Sequence, residues 1–321
     1  MNSLIEENRT EEPLDKGLEW TEGSHKPPHR EGRAESRVAI AALVLSALAL
    51  IAACASLYLQ LRVARDSASD EDGVEMKGDK AEQSYIQFRD HILPIMEDVP
   101  VNEYAAEAFV LDGAGHLRYG DAPLGIDVSS YQGEIDWEQV AGSGVSFAMI
   151  RAGLRGYTKG GIMQDAMFER NIKGALAAGL KVGVYFFSQA ISVQEAEEEA
   201  DYLLKLIEGY DVAYPVVFDW ENVGDTSART NGVSSEQVTR CARVFCDRIA
   251  EAGFQPMVYF NSDQGYLSYQ LDKLGGYLFW LAEYRDHPGF YYHFDFWQYT
   301  HKGNVAGIDG AVDLDLDLRG S

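Results

Sequence analysis

Residues 216–221 read Val-Val-Phe-Asp-Trp-Glu. The first three are β-branched or aromatic, as in a strand buried on both faces. The run then ends in two acids, Asp219 and Glu221. Residues i and i+2 of a strand share one face and lie about 6.6 Å apart along the backbone. An apolar strand that ends in two acids on one side delivers them to the end of a sheet.

The same unit repeats outward from this stretch. On the N-terminal side, Ile126-Asp127-Val128 reads as a strand, and Trp137 to Val140 starts a helix. Val145 to Ala152 is a strand, and Phe168 to Ala178 a helix ended by Gly179. Lys181 to Phe187 is a strand, and Val193 to Ile207 a helix ended by Gly209. On the C-terminal side, Ser235 to Ala252 is a helix ended by Gly253, and Met257 to Phe260 a strand followed by a helical or loop segment. Glycine after a helix suits the left-handed position that stops it. Tyr277 to Tyr284, Phe294 to Thr300 and Val312 to Leu316 are strands with little helical sequence between them. The pattern predicts an α/β fold over residues 124–321. In it, five βα units followed by three strands with few helices close an irregular TIM-like barrel of parallel strands. An open doubly wound sheet is the rival arrangement.

In such barrels chemistry sits at the C-terminal ends of the strands. Asp127 ends the first strand, Asp219 and Glu221 the fourth, and Glu283 the sixth, while Asp309, Asp313 and Asp315 surround the eighth. Like charges held close raise one another's pKa. The bland reading of Asp127 is a turn cap before Ser129, and that of Asp313 an edge strand of alternating Asp and Leu. Tyr131, Tyr185, Phe187, Tyr259, Trp280, Tyr284, Trp297 and Tyr299 fall at or near strand ends, where core filling competes with a role as flat walls for sugar rings. Two carboxylates between aromatic walls suit glycoside hydrolysis.

Composition removes other classes. Lys plus Arg total 27 against 51 Asp plus Glu, a net charge of −24. That is the wrong sign for nucleic-acid binding. Three cysteines are too few for a disulfide scaffold, and Cys241 and Cys246 face different directions on one helix, as free thiols. The metal-binding, dinucleotide and phosphate-loop motifs are absent from the sequence.

Before residue 124 the chain changes character. Residues 1–37 read as a disordered tail rich in Glu, Pro and His. Residues 38–61 carry no charge over 24 positions. As a helix they would span roughly 36 Å, enough for a bilayer core of about 30 Å. Lys26, Arg30, Arg33 and Arg37 before the segment, against Arg62 and Arg65 after it, favour an N-terminus inside. A cleaved signal peptide is a rival, as is a lipoprotein site at Ile51-Ala52-Ala53-Cys54. Residues 62–123 read as a spacer or stalk. Within it, 81–99 fit an amphipathic helix broken at Pro94, and Phe109 to Leu111 with Leu117 to Tyr119 fit a hairpin.

Several segments together resemble the glycoside hydrolase family 25 lysozymes. They are Gly125 to Ser129 with Gln132-Gly133 and Ile135-Asp136-Trp137, Phe147 to Ala152, Gly183 to Phe187, Asp219-Trp220-Glu221, Trp280 to Tyr284, Trp297-Gln298-Tyr299-Thr300 and Gly307 to Leu314. The resemblance covers residues 125 to about 318. It implies cleavage of the β-1,4 bond from N-acetylmuramic acid to N-acetylglucosamine in peptidoglycan, with no metal or cofactor. Glu221 is then the general acid and base, and Asp219 the nucleophile or the group that orients the substrate acetamide. Asp127 and Asp313 become supporting acids. Tyr131, Tyr185, Phe187, Tyr259, Trp280, Glu283, Tyr284, Trp297 and Gln298 become substrate contacts. Phe186 stands where many members have His, which bears on sugar contacts, and Asp315 where many have Asn. A wall substrate places the C-terminal domain outside a bacterial cytoplasmic membrane, tethered by residues 38–61, with the glycan strands as partner. The alternatives are a family 18-like chitinase or endoglucosaminidase, a non-catalytic wall-binding protein that keeps the cleft, and a membrane scaffold acting through its tail.

Overall fold

A computed structural model describes residues 84–320. The tail over 1–37, the apolar segment 38–61 and the spacer up to residue 83 lie outside the described residues. Among the described residues no helix is long and apolar enough to cross a membrane.

Two small hairpins come first: β1 (Tyr85–Phe88) with β2 (His91–Pro94), and β3 (Phe109–Leu111) with β4 (Leu117–Tyr119). Eight strands then form a closed barrel. They are β5 (Leu124–Val128), β6 (Phe147–Arg155), β8 (Lys181–Ser188), β9 (Val216–Trp220), β10 (Pro256–Asn261), β11 (Leu278–Ala282), β12 (Phe296–Gly303) and β13 (Val312–Asp317). Direct pairing of β5 with β6 completes the ring, which excludes the open doubly wound sheet. A further strand, β7 (Ile162–Gln164), folds back on the end of β6. The sequence reading passed over it because three residues carry no periodicity.

Four helices cover the outside: α1 (Trp137–Gly142), α2 (Phe168–Ala177), α3 (Val193–Leu206) and α4 (Ser235–Glu251). Asp136, Ser192 and Ser234 cap α1, α3 and α4 through their side-chain oxygens. Gly179, Gly209 and Gly253 follow three of the helices at φ 81°, 84° and 88°, as their positions in the sequence predict. The fifth βα unit has no α-helix. After β10 the chain makes only a π-turn at Gln264–Ser268 and a 3₁₀ turn at Leu271–Lys273. Cys241 and Cys246 are both buried in α4 as free thiols.

The expected all-parallel ring needs one correction. Strands β5, β6 and β8 to β12 are parallel, but β13 runs antiparallel to both β12 and β5. No helix separates β12 from β13, so the short return at residues 304–311 can only reverse the chain.

The barrel interior is a separate buried cluster that includes Phe147, Met149, Val217, Met257, Trp280 and Phe296. Glycine makes room for two of them. A Cβ on Gly125 would lie 2.2 Å from the ring of Phe147, and one on Gly183 would lie 2.5 Å from the sulfur of Met149. The alternate residues of the same strands face the helices.

The segment from Ser84 to Pro123 is not a free stalk. Phe88 packs on Tyr266 at 4.6 Å, and Asn102 Nδ2 donates to the Phe290 carbonyl at 3.0 Å. Tyr104 donates its hydroxyl to the Phe294 carbonyl at 2.7 Å, and Phe109 meets Trp297 edge-on at 5.0 Å. The helix expected within 81–99 is instead the β1–β2 hairpin. Ile86 and Phe88 are both buried on one face, a period of two, and Arg89 takes φ 50° at the turn. The second hairpin, by contrast, forms where its sequence predicts. Phe109→Ala should therefore destabilise the barrel by about 3 kcal/mol through loss of the Trp297 contact. Urea unfolding of the full chain checks this, and an unchanged midpoint would mean that the segment is only loosely attached.

Candidate active site

Seven parallel strands point their C-terminal ends to one mouth of the barrel. β13 runs the other way, so it is its start that reaches this mouth. Register then places Asp313 directly opposite Asp127 of β5. Asp315 lies one step deeper, opposite Gly125. Asp317 lies deeper still and binds Arg319 at 2.7 Å. Alternating Asp and Leu on this strand therefore does not mark an edge. Leu314 and Leu316 pack into the outer core, while the aspartates face inward.

Asp127 is 7% exposed and does not cap the turn after it. Ser129 does that, accepting from the Tyr131 amide at 3.2 Å. Asp127 Oδ2 instead accepts from Gln298 Nε2 at 2.6 Å. Gln298 Oε1 in turn accepts the hydroxyls of Tyr259 and Tyr284, both at 3.0 Å. The carboxylate only accepts, so the amide nitrogen faces it and the amide oxygen is left to take the two tyrosine hydroxyls. Tyr185 is buried between these acids. Burial, with Asp127 and then Asp219 nearby, holds its phenol well above the usual tyrosine range. Asp219 is buried at the fourth position of β9, in register with Phe187 on one side and Tyr259 on the other. Glu221 is half-buried, one residue past the end of β9.

Asp315 is fully buried. Its Oδ1 accepts the Trp280 indole N–H at 2.9 Å, and its Oδ2 has no hydrogen-bond partner. Burial first, and then the charges of Asp127 and Asp313, push its carboxyl well above the ordinary range. The acid pushed toward its neutral form by its surroundings is thus this residue beneath the mouth, at the position where the resemblance leads one to expect Asn.

The remaining expected contacts divide. Phe187, Tyr259, Trp280, Tyr284 and Gln298 line the upper barrel. Tyr131 stands at the rim, 47% exposed, with the Arg151 guanidinium 5.2 Å from its ring. Two do not belong to the mouth. Trp297 is fully buried on the outer face, where it packs against Phe109 and donates to the Glu283 carbonyl at 2.8 Å. Glu283 points outward one step from Ala282, and its Oε2 accepts the amides of Gly289 and Phe290 at 2.6 and 3.2 Å. Its burial raises its pKa, opposed by those amides and by Arg285. It anchors a loop. Both errors come from counting along β11 and β12 by position rather than by face. Phe186 also faces outward, toward Tyr202 of α3, so the missing His leaves the mouth unchanged.

The sequence reading passed over Arg151. Its guanidinium binds Asp165 at 2.7 Å and the Ser130 hydroxyl at 3.2 Å, which sets one buried cation beside the acids. Desolvation opposes this charge, but Tyr185 and Asp165 more than restore it. Its partner Asp165 lies 14 residues away, a spacing that carries no sequence signature.

A ring of acids at a barrel mouth, backed by tyrosines and a tryptophan, agrees with what residues 126–308 show on comparison: they match the glycosyl hydrolases family 25. The chain belongs to this family. It is 30% identical over 196 residues to an autolytic lysozyme of Clostridium acetobutylicum, an alignment covering 60% of this chain and 54% of that protein. It is 29% identical over 202 residues to lysozyme M1 of Streptomyces globisporus, covering 59% and 65%. Among solved structures it is similar to a bacterial lysozyme from Streptomyces coelicolor, with a TM-score of 0.50 and 25% identity over 63% of this chain and 94% of that one. The chain thus spans about half the length of the clostridial relative.

The environment of Asp315 gives a pH prediction for this family 25 barrel. A carboxyl whose folded pKa is raised stabilises the fold least at high pH, because ionisation is easier in the unfolded chain. Asp315→Asn keeps the acceptor for Trp280 and removes the ionisation. The variant should match the wild type below about pH 4 and gain stability relative to it as the pH rises above the ordinary carboxylate range. Urea unfolding of both proteins at several pH values checks this, and a difference independent of pH would contradict it.

Proposed function

We propose that this chain hydrolyses peptidoglycan, cutting the β-1,4 bond from N-acetylmuramic acid to N-acetylglucosamine. The observation that carries the reading is the convergence of Asp127, Asp219, Glu221 and Asp313 on one barrel mouth in a family 25 chain. The names of its relatives support it, two of them being lysozymes.

Glu221, the most exposed of the candidate pair, is the general acid. It protonates the leaving oxygen and then takes a proton from the attacking water. Asp219 attacks the anomeric carbon or orients the substrate's acetamido oxygen to do so, and either route retains anomeric configuration. Asp127 and Asp313, facing each other across the β5–β13 pair, hold negative charge near the developing oxocarbenium ion. Tyr131, Phe187 and Tyr284 offer ring faces to the sugars. Residues 38–61 tether the domain to the cytoplasmic membrane with the barrel outside, so that cutting is confined to nearby wall, as remodelling requires. Protease treatment of intact cells should then remove the barrel, and a protected barrel would defeat the tether.

The activity itself is tested with the full chain, wild type beside Glu221→Gln and Asp219→Asn, on isolated peptidoglycan. New reducing ends are converted with borohydride, and the sugar is identified by mass. Reduced muramic acid should appear with wild type and fall by about 10²–10⁴-fold with Glu221→Gln. Reduced glucosamine would mean that the other glycosidic bond is cut. No new ends from a folded wild type would favour a wall-binding protein.

A further inference from the structure

We propose that Gln189 and Gln264 are positioning residues for Glu221: together they clamp the main chain that carries it and so aim its carboxyl into the mouth. The inference rests on the assignment of Glu221 as the general acid and base.

The problem they solve is local. β9 ends at Trp220, so Glu221 lies where the sheet ladder no longer holds the backbone. A buried carbonyl that leaves a ladder must find another donor. Gln264 donates its side-chain amide to the Trp220 carbonyl. Gln189 donates its side-chain amide to the Glu221 carbonyl at 2.6 Å and to the Ser188 carbonyl at 2.9 Å. The two donors come from opposite sides. Gln189 follows β8 and Gln264 follows β10, the two strands that flank β9. The Trp220 indole adds a third tie, donating to the Ala190 carbonyl at 3.1 Å.

Each glutamine is itself fixed. Gln264 Oε1 accepts the Asn261 amide at 3.1 Å, and the Gln264 amide donates to Asn261 Oδ1 at 3.0 Å. Gln189 Oε1 accepts the Thr230 hydroxyl at 3.3 Å. The Gln189 carbonyl accepts Arg229 Nη1 at 3.3 Å, and Arg229 Nη2 binds Glu195 of α3 at 2.5 Å. Both glutamines are buried, at 0% and 2% exposure. Burying an amide is unfavourable unless every polar atom finds a partner, and methionine would fill either space without that demand. What the amides add is a fixed path for Trp220 and Glu221. A small misplacement of a reacting group costs about a hundredfold in rate.

The test uses the full chain with Gln189→Met, Gln189→Glu and Thr230→Val, and measures kcat and KM on peptidoglycan fragments beside thermal melts. Gln189→Glu keeps the shape and the acceptor for Thr230, and once ionised it offers no donor to the Glu221 carbonyl. Both Gln189 variants should lose about tenfold to a hundredfold in kcat with KM within about twofold of wild type. A purely structural role would lower the melting temperature and leave kcat of the folded fraction unchanged. Where a Gln189 variant does not fold at the assay temperature, Thr230→Val decides. It frees Gln189 without removing it and should lower kcat with KM unchanged. Unchanged kcat in the folded variants of an active enzyme overturns the inference alone. An inactive wild type overturns the assignment of Glu221 and this inference with it.

Discussion

The structure depends on how the barrel closes. The last strand enters from the mouth and runs antiparallel between β12 and β5, which sets Asp313 across from Asp127 and sends Asp315 into the interior. Carboxylates at such depth are tolerated only where the surrounding strands supply donors. β12 supplies Gln298 for Asp127, and β11 supplies Trp280 for Asp315. Gln298 in turn leaves its amide oxygen to accept two tyrosine hydroxyls, one from β10 and one from just past β11. One closure constraint thus specifies residues on five strands.

The helix-poor half of the barrel leaves a second demand. After β10 the described residues form no further α-helix, and the outer faces of Phe290, Phe294 and Trp297 would meet water. The segment 84–123 covers them instead: Asn102, Tyr104 and Phe109 reach Phe290, Phe294 and Trp297, and Phe88 packs on Tyr266, which in turn packs on Phe290. Its two hairpins therefore serve as replacements for missing helices, and the folded unit begins well before the first barrel strand.

Much of this was legible in the sequence. Val216-Val217-Phe218 ended by acids, and helices closed by Gly179, Gly209 and Gly253, specify strand and helix by local chemistry alone. The acids Asp127, Asp219, Glu221 and Asp313 were found because each sits at a strand terminus. What was not legible depends on tertiary geometry. The reversed direction of β13 is decided by the length of a loop, and the outward turn of Glu283 and Trp297 by which face of a strand begins the count. The hairpin at 85–94 has helical spacing at Phe88 and Ile92 but is selected by Pro94 and by a partner surface far along the chain. Gln189 and Gln264 carry no motif, since an amide that binds a main-chain carbonyl is recognisable only once the carbonyl is placed.

The central claim is that the glycan is held across the acid-lined mouth, with its scissile bond between Asp219 and Glu221. The most direct measurement is a crystal structure of the Glu221→Gln chain soaked with a muramoyl tetrasaccharide. The account predicts the sugars at the C-terminal ends of β5, β8, β9 and β10, with the bridging oxygen in hydrogen-bond reach of Gln at position 221 and the anomeric carbon facing Asp219. Sugars bound on the outer surface, or with the bridging oxygen turned away from position 221, would contradict it.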